Sequence, residues 1–297
     1  IAIQSIRQVD MKLGETCAVI GLGLVGQLTC LLLKANGINV IGIDISKFAV
    51  NFSDNYSVDL AINRNDESIL SQISNFTSSY GVDAVIIAAS SNSLDPINFA
   101  GEICRDRGKV IILGDVPTGF NRESFYRKEL ILKMSCSYGP GRYDTNYEEK
   151  GLDYPLGQVR WTEKRNMEAF QNLVYRDNIN INKLTTNIYD LDDFETAYSL
   201  LISSQKDYFG LVLKYDVENY VKKEIYSLNK GRIYTDINIG MFGGGSYAQS
   251  SILPHISNSK NIIKNIIITK NGNTSKKVGE KYGFQFCSND ADLILDN

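Results

Sequence analysis

Residues 17–28 read CAVIGLGLVGQL, an apolar run that leads into the pattern Gly21-x-Gly23-x-x-Gly26. A buried strand that turns into a helix at closely spaced glycines is how a dinucleotide-binding βαβ unit begins. Gly21 permits the tight turn, Gly23 lets the backbone approach a pyrophosphate, and Gly26 lets the helix pack closely on the strand. The helix N-terminus then offers N–H groups and a positive dipole end to the phosphates.

The strand after this helix ends in an acid. It reads VIGIDIS, and its Asp44 follows Gly26 by 18 residues. A carboxylate at this position accepts hydrogen bonds from both ribose hydroxyls of NAD and repels the 2′-phosphate of NADP. The sequence therefore predicts NAD as the cofactor. Lys47 is a weaker candidate for the ribose region, because an exposed lysine at the start of a helix explains it as well.

Strand and helix patterns alternate through the first 139 residues, and this predicts an α/β fold with a doubly wound parallel sheet. The chain begins with the end of a helix over 1–11. The predicted strands lie at 16–23, 39–46, 58–63, 83–90, 109–116 and 128–139. The predicted helices lie between them at 24–37, 46–57, 67–81 and 95–108. Two more helices, at 166–179 and 191–205, and a strand at 209–216 follow.

Two further strand ends are expected to face the cofactor, since ligands bind at the carboxyl ends of strands in open sheets. Gly114 would let the nicotinamide lie close to the backbone, whereas Asp115 is also explained as a turn residue. The predicted cofactor-binding residues are Gly21, Gly23, Leu24, Val25, Gly26, Asp44, Ile45, Ala88, Ala89, Ser90, Gly114 and Asp115.

Residues 139–165 are rich in glycine, proline, tyrosine and charge, which predicts a long loop. Long ordered loops are usually functional. Cations mixed with flat rings suit a sugar or a phosphorylated ligand, because arginine donates in pairs and rings stack on sugars. A loop that packs on another domain or on a second subunit is the alternative. The residues concerned are Arg142, Tyr143, Tyr154, Arg160 and Trp161.

A second glycine turn opens in the stretch INIGMFGGGSYAQSS, residues 237–251. A strand at 261–270, a helix at 273–284 and a strand at 284–290 are predicted to follow, which makes a partial second βαβαβ unit. The predicted domains are a Rossmann domain over 1–215, a linker helix over 216–235 and this truncated unit over 236–297. The second-turn candidates are Gly243, Gly245, Ser246, Tyr247 and Ala248.

The end of the second strand in this unit lacks an acid, because Lys270-Asn271-Gly272 follows it. The second turn is therefore expected to bind no NAD. This turn either prefers a dinucleotide that carries a 2′-phosphate or binds no dinucleotide. The structural alternative is a vestigial half-fold.

Residues 1–215 resemble the coenzyme half of the medium-chain dehydrogenases, the superfamily of zinc alcohol and sorbitol dehydrogenases. The motifs that carry the resemblance are LGETCAVIGLGLVGQL at 13–28, VIGID at 40–44, KVIILGDV at 109–116 and DLDDFETAYSLLISSQKDYFGLVLKY at 190–215. The resemblance implies a preceding substrate domain that carries the catalytic zinc ligands and the proton relay. Zinc is thus expected only outside this sequence.

The stretch INIGMFGGGSYAQSSILPHIS, residues 237–257, resembles the opening of the glucose–fructose oxidoreductase and inositol dehydrogenase family. Both modules together resemble the bacterial bi-domain oxidoreductases, and SYGPGRYDTNYEEKGLDYPLGQVRWTEKRNMEAF at 137–170 is the most distinctive piece. The second family's catalytic lysine is expected beyond Asn297, so no catalytic residue is assigned.

Composition excludes several function classes. The 297 residues are 43% hydrophobic and carry a net charge of −3, which argues against a nucleic-acid or membrane-surface role. No apolar run approaches a membrane span, and the N-terminus does not read as a signal peptide. Five scattered cysteines are expected to be buried free thiols in a reducing cytoplasm. The single histidine, His255, cannot build a zinc site by itself.

These observations predict a fragment of an NAD-dependent oxidoreductase that moves a hydride between nicotinamide and an alcohol or carbonyl carbon. The resemblance suggests a small-molecule, sugar-derived substrate in surface polysaccharide synthesis. A homo-oligomer is also expected. The isolated fragment is expected to be inactive. Two alternatives stay open: a zinc-free enzyme similar to quinone reductases, and a non-catalytic protein that senses dinucleotides or acts as a scaffold.

Overall fold

The computed structural model describes residues 1–54, 56–203, 207–215, 226–227, 237–259 and 261–294. It divides into two compact units, Ile1–Tyr215 and Asp216–Asn297, called unit 1 and unit 2 below.

Unit 1 alternates strands and helices along most of its length. Its helices are α1 (Ala2–Val9), α2 (Leu24–Ala35), α3 (Lys47–Asp54), α4 (Ile69–Phe76), α5 (Asp95–Ile103), α6 (Arg122–Arg127), α7 (Thr145–Glu148), α8 (Glu163–Tyr175) and α9 (Phe194–Ile202). Its strands are β1 (Thr16–Ile20), β2 (Asn39–Asp44), β3 (Leu60–Asn63), β4 (Val82–Ile87), β5 (Cys104–Ile112), β6 (Ile131–Met134), β7 (Thr185–Asp190) and β8 (Gly210–Lys214).

The first six strands form one parallel sheet in the order β3-β2-β1-β4-β5-β6. Successive residues of a strand point to opposite faces, so β1 feeds two separate cores. Cys17 and Val19 pack in the core that contains α1 and α2, whereas Ala18 and Ile20 pack in the core that contains α4 and α5. Helices therefore cover both faces, which confirms the doubly wound fold predicted from the sequence.

The helix predicted over 95–108 is shorter than expected. It ends at Ile103, and Cys104 begins β5 by pairing with Val82 of β4. The Lys128 ammonium donates to three carbonyl oxygens at this helix end, those of residues 101, 102 and 104, at 2.6–3.0 Å. Strand pairing and this cap thus override the helical pattern of the CRDRG stretch.

The sequence did not reveal β7. It forms a two-stranded parallel sheet with β8 after the long loop. The pattern of β7 is mostly polar, and four of its six residues are exposed, so it lacks the apolar alternation that marks a strand.

Unit 2 contains α10 (Leu253–Ser257) and α11 (Gly272–Tyr282) among its described residues. Its strands are β9 (Tyr226–Ser227), β10 (Ile237–Phe242), β11 (Ile262–Ile268) and β12 (Phe286–Ser288), in the order β10-β11-β12-β9. The pairs β10–β11 and β11–β12 are parallel. A small core of Leu253, Ile267, Val278 and Phe284 lies beneath α11. The predicted partial βαβαβ unit is confirmed.

One expectation for this region needs correction. Tyr226 and Ser227, inside the predicted linker helix over 216–235, are a strand because they pair antiparallel with β12, and the rest of that segment lies outside the described residues.

The helix after the second glycine turn begins irregularly, with a π-helical stretch at Ala248–Ile252. Because Pro254 has no backbone N–H, it cannot donate an α-helical hydrogen bond to the carbonyl of Ser250.

The cysteines follow the prediction in all but one case. Cys17, Cys30, Cys104 and Cys287 are buried free thiols, whereas Cys136 is exposed because it lies just beyond the end of β6. Within the described ranges, no helix is both long and apolar enough to cross a membrane.

Candidate functional site

The turn between β1 and α2 is held by hydrogen bonds to the neighbouring strand. The Gly21 N–H donates to the carbonyl oxygen of Ile43 at 2.8 Å, and Gly21 adopts a φ of +96°, a conformation that favours glycine. A side chain at Gly21 would lie 2.5 Å from the backbone nitrogen of Ala89. A side chain at Gly26 would lie 1.9 Å from the carbonyl oxygen of Gly21. The fold itself therefore requires both glycines.

Gly23 differs from its two neighbours in the motif. It is the N-cap of α2 with φ −66° and ψ −174°, an extended conformation that any residue adopts. A Cβ atom added to it would have no atom within 4 Å. Neither backbone conformation nor packing thus requires a glycine here. A ligand that approaches the backbone at the helix N-terminus would require one.

The carboxylate of Asp44 lies against this turn. One oxygen accepts a hydrogen bond from the Leu22 N–H at 2.6 Å, and the other accepts from the Ser46 N–H at 2.7 Å. Asp44 is half-buried at the carboxyl end of β2. The two backbone donors fix the side chain beside the glycine turn while each oxygen keeps a second lone pair for a ligand.

The ends of β4 and β5 lie at the same edge of the sheet as the glycine turn. The Ala88 N–H donates to the carbonyl oxygen of Ile20 at 2.8 Å, and Gly114 donates to Ile87 at 2.8 Å. A side chain at Gly114 would lie 2.0 Å from the carbonyl oxygen of Ala89, so these strand ends are in close contact. The strand order reverses between β1 and β4, which is where open α/β sheets form a ligand crevice.

The predicted cofactor residues are thus brought together at one edge. They differ in how far they are exposed to solvent. The exposed residues are Gly23, Leu24, Ile45, Ser90 and Asp115. The half-buried residues are Val25, Asp44, Ala88, Ala89 and Gly114, and the buried ones are Gly21 and Gly26.

Gln27 is a supporting residue that the sequence reasoning missed. Its buried amide nitrogen donates to the carbonyl oxygen of Leu22 at 3.0 Å and to the Ser53 hydroxyl at 2.7 Å, and its oxygen accepts from Ser57 at 2.6 Å. This network holds the middle of the glycine turn. A glutamine next to the last motif glycine was the signal available in the sequence.

Three of the five loop candidates form contacts inside the loop. Arg142 forms an ion pair with Glu148 and lies 4.3 Å from the ring centre of Tyr143. The Tyr154 hydroxyl donates to the Asp144 carboxylate. That bond, followed by the Asn146 N–H, lowers the pKa of Asp144 below its usual value.

The other two loop candidates, Arg160 and Trp161, contact each other, and Trp161 also contacts Arg7 of α1. The Arg160 guanidinium carbon lies 3.9 Å from the Trp161 ring centre, and that of Arg7 lies 3.6 Å from it. No pattern in the sequence joins Arg7 to this loop, because the contact depends on how α1 packs near α8.

The second glycine turn repeats the geometry of the first. The Gly243 N–H donates to the carbonyl oxygen of Ile268 at 2.7 Å, as Gly21 does to Ile43, and Gly243 has a φ of +90°. The Gln249 amide donates to Gly244 at 2.8 Å, as Gln27 does to Leu22. Gly245 has no atom within 4 Å of an added Cβ.

The position that corresponds to Asp44 is Thr269 and not Lys270. Asp44 directly follows Ile43, whose carbonyl oxygen accepts the N–H of the turn glycine, and Thr269 directly follows Ile268, which accepts in the same way. The Thr269 hydroxyl donates to the carbonyl oxygen of Asn271 at 2.7 Å. The other second-turn candidates are exposed at Ser246 and Tyr247 and buried at Ala248. The second turn thus has the shape of the first without its carboxylate.

Comparison with known proteins agrees with this geometry. A family model described as zinc-binding dehydrogenase matches residues 25–150, which contain α2 and strands β2 to β6. The match covers less than half of the 297 residues.

Longer stretches of the chain are similar to individual dehydrogenases. The chain is 28% identical over 200 residues to an NADP-dependent isopropanol dehydrogenase of Thermoanaerobacter brockii, covering 67% of this chain and 51% of that protein. It is 25% identical over 192 residues to a D-guloside 3-dehydrogenase of Escherichia coli (strain K12), covering 62% and 49%. The chain therefore spans about half the length of these relatives.

The same fold occurs in solved structures. The crystal structure of 2R,3R-butanediol dehydrogenase from Bacillus subtilis matches with a TM-score of 0.55 and 19% identity, over 71% of this chain and 54% of that one. This likeness supports the Rossmann-like fold of unit 1.

The described residues do not fit a zinc ion, although the family name implies one. In those parts of the chain, no group of three or more histidine, cysteine, aspartate or glutamate side chains could hold a metal ion. Burial also raises the pKa of the Cys17 and Cys30 thiols, and it raises that of Cys104 to about 12. Because zinc binds thiolates, these thiols are poor ligands.

Proposed function

We propose that unit 1 binds a nicotinamide dinucleotide at the turn between β1 and α2 and is the coenzyme-binding part of an NAD(P)-dependent oxidoreductase. The observation that carries the proposal is Gly23, a glycine required neither by its φ of −66° nor by packing, at the N-terminus of a helix. An anionic pyrophosphate against the N–H groups of that helix end is favoured by their partial positive charge.

NAD is the proposed cofactor, and the reason is the Asp44 carboxylate. It is fixed beside the turn by the N–H groups of Leu22 and Ser46, so it is poised to accept from ribose hydroxyls. A 2′-phosphate at this place would meet its negative charge. The nearby Arg64 is directed elsewhere, since its guanidinium donates to Asp95 at 2.6 and 3.0 Å.

The proposed reaction belongs to the whole protein. A bound nicotinamide supplies hydride transfer to or from an alcohol or carbonyl carbon. Within unit 1, Gly23 and Asp44 bind the cofactor, and the strand ends at Ala88 and Gly114 orient its far end. Similarity to an isopropanol dehydrogenase and a guloside dehydrogenase supports a small alcohol or sugar as substrate.

Four finer elements of the proposal come from the sequence. The resemblance supports a role in surface polysaccharide synthesis and a two-module enzyme whose second module is of the glucose–fructose oxidoreductase type. The scattered cysteines support a cytoplasmic location, and a homo-oligomer is the expected assembly. The matched bonds of Gln27 and Gln249 support a second glycine turn of the same kind as the first. Since Thr269 stands where Asp44 stands in unit 1, we propose that unit 2 binds no NAD at residues 243–248.

The test is calorimetric titration of the chain with NADH and with NADPH. We expect the chain to bind NADH more tightly than NADPH. Asp44→Ala should bring the two affinities closer together, because it weakens NADH binding and removes the charge that repels the 2′-phosphate of NADPH. Asp54→Ala, which removes an exposed aspartate at the end of α3, is the matched control and should leave the ratio of the two affinities unchanged. Equal or tighter binding of NADPH by the unsubstituted chain would refute the cofactor assignment.

A further inference from the structure

Gln27 directly follows the last glycine of the first turn, and its side chain is fully buried. Its amide nitrogen donates to the carbonyl oxygen of Leu22 at 3.0 Å and to the Ser53 hydroxyl at 2.7 Å. Its oxygen accepts from the Ser57 hydroxyl at 2.6 Å. The amide thus joins the glycine turn to α3 and to the residues that follow that helix.

The two serines decide which end of the amide faces the turn. The Ser53 hydroxyl donates its one proton to the carbonyl oxygen of Ala49 at 2.7 Å, so it can only accept from Gln27. The Ser57 hydroxyl has the oxygen of Gln27 as its acceptor. Both serines are fully buried. The nitrogen of the amide is therefore held against the Leu22 carbonyl oxygen.

This hydrogen bond also sets the direction of the Gly23 N–H. The carbonyl of Leu22 and the N–H of Gly23 belong to one trans peptide, in which the two groups point in opposite directions. The Leu22 carbonyl is directed at a buried side chain, so the Gly23 N–H is directed away from it, and Gly23 is exposed. Within the described residues, this N–H donates to no protein acceptor.

Without such a bond the peptide between Leu22 and Gly23 would be free to turn over. That rotation changes ψ of Leu22 and φ of Gly23, and glycine accepts φ of either sign at similar energy. The missing side chain that admits a pyrophosphate therefore also lets the Gly23 N–H turn inward, where no ligand reaches it. A glycine at this position needs a second residue that holds its peptide.

We propose that Gln27 is a positioning residue of the cofactor site, which keeps the Gly23 N–H directed at the pyrophosphate. The inference rests on the proposed dinucleotide site of unit 1. A donor that already points at the ligand needs no ordering when the ligand binds. The contact of Asp44 is separate, because its carboxylate accepts from the Leu22 N–H, which belongs to the preceding peptide.

ADP and adenosine distinguish these two contacts. ADP carries both the pyrophosphate and the ribose, whereas adenosine carries the ribose alone. Both are titrated into the full chain, ADP by calorimetry and adenosine by NMR chemical shifts. Gln27→Met has a side chain of similar length that cannot donate, and it should weaken ADP binding about tenfold or more and adenosine binding by less than about twofold. A general loss of structure would weaken both ligands alike.

Two variants are matched controls. Ser57→Ala removes one buried hydrogen bond from the same network but leaves the Gln27 nitrogen on Leu22. It should lower the urea midpoint of unfolding and leave the ratio of the ADP and adenosine affinities unchanged. Gln249→Met makes the same substitution at the second glycine turn, where the Gln249 amide donates to Gly244 at 2.8 Å, and should leave ADP binding unaltered.

A measurement on the unsubstituted chain covers the case in which Gln27→Met does not fold. The ¹⁵N relaxation order parameter of the Gly23 N–H should be that of rigid backbone, about 0.85, both without ligand and with ADP. An N–H that is mobile in the free chain, with an order parameter below about 0.6, and that becomes rigid only with ADP would overturn the proposal.

The titrations also separate this inference from the cofactor site itself. If the unsubstituted chain binds neither ADP nor adenosine, the dinucleotide site is refuted, and the role of Gln27 is refuted with it. If the chain binds ADP but Gln27→Met weakens ADP and adenosine equally, or leaves ADP binding unchanged, the site stands and the positioning role of Gln27 is refuted.

Discussion

Replacing Gly23 by alanine separates the cofactor explanation of this residue from a structural one. The backbone at Gly23, with φ −66° and ψ −174°, is accessible to alanine, and the new methyl group would have no atom within 4 Å. Alanine is a poorer N-cap than glycine by about 0.5 kcal/mol, and it stabilises the folded state by about 0.4–1 kcal/mol by restricting the unfolded chain. The free energy of unfolding should therefore change by less than about 0.5 kcal/mol.

Cofactor binding should respond quite differently. The methyl group would stand where the pyrophosphate approaches the helix N-terminus, and losing one charge-assisted hydrogen bond there costs about 1.5–3 kcal/mol. NADH binding should thus weaken by roughly tenfold to a hundredfold. Urea denaturation and calorimetric titration of the same sample measure both quantities.

Two further glycine-to-alanine variants serve as controls for this prediction. Gly245→Ala makes the same change at the second turn, where no NADH is expected, and should leave NADH binding unaltered. Gly26→Ala places a methyl group 1.9 Å from the Gly21 carbonyl oxygen and should destabilise the fold by about 1–3 kcal/mol or more. If Gly23→Ala folds normally and binds NADH within twofold of the unsubstituted chain, no ligand approaches the backbone at this residue and the reasoning fails.

Three further predictions concern the end of α5, the loop and turnover. Lys128→Met should lower the free energy of unfolding, measured by urea denaturation, by about 2–3 kcal/mol, because three carbonyl oxygens lose their charged donor. The control Lys12→Met removes only an exposed ion pair and should change the free energy of unfolding by less than about 1 kcal/mol. The hydrogen bonds from the Tyr154 hydroxyl and the Asn146 N–H lower the pKa of Asp144 in the folded protein. These bonds therefore stabilise the loop fully above the pKa of Asp144 in the unfolded chain, about 3.9, and the stabilisation is lost as pH falls through the lower pKa of the folded protein. Hydrogen exchange in 139–165, corrected for intrinsic rates, should accelerate over that acidic range, and Asp144→Asn should accelerate it already at neutral pH; unchanged exchange in both cases would contradict this. The purified chain should oxidise neither simple alcohols nor sugars with NAD in a spectrophotometric assay, and robust turnover free of contaminating enzyme would show that its chemistry was misjudged.

The sequence was informative where local pattern and backbone geometry agree. Gly21 needs its positive φ, Gly26 needs its missing side chain, and an apolar strand precedes both, so the turn could be predicted from a short stretch. The parallel sheet followed because each buried strand is separated from the next by a helix of ordinary length. Asp44 could be named because its place at a strand end follows from the same pattern.

The sequence was uninformative where a contact joins distant segments. Nothing near Arg7 indicates that it meets Trp161, since that contact depends on the packing of α1 near α8. The sequence that follows Cys104 has a helical pattern, and its pairing with β4, which starts with Val82 against Cys104, makes it a strand. Thr269 as the counterpart of Asp44 emerged only from the hydrogen bond between Gly243 and Ile268.

A crystal structure of the chain grown with saturating NADH would show the cofactor site itself. We expect a pyrophosphate against the backbone of Gly23 at the start of α2 and an adenosine ribose on the carboxylate of Asp44. We expect no dinucleotide at residues 243–248. NADH bound at that second turn, or a β1–α2 turn left empty at saturation, would contradict it.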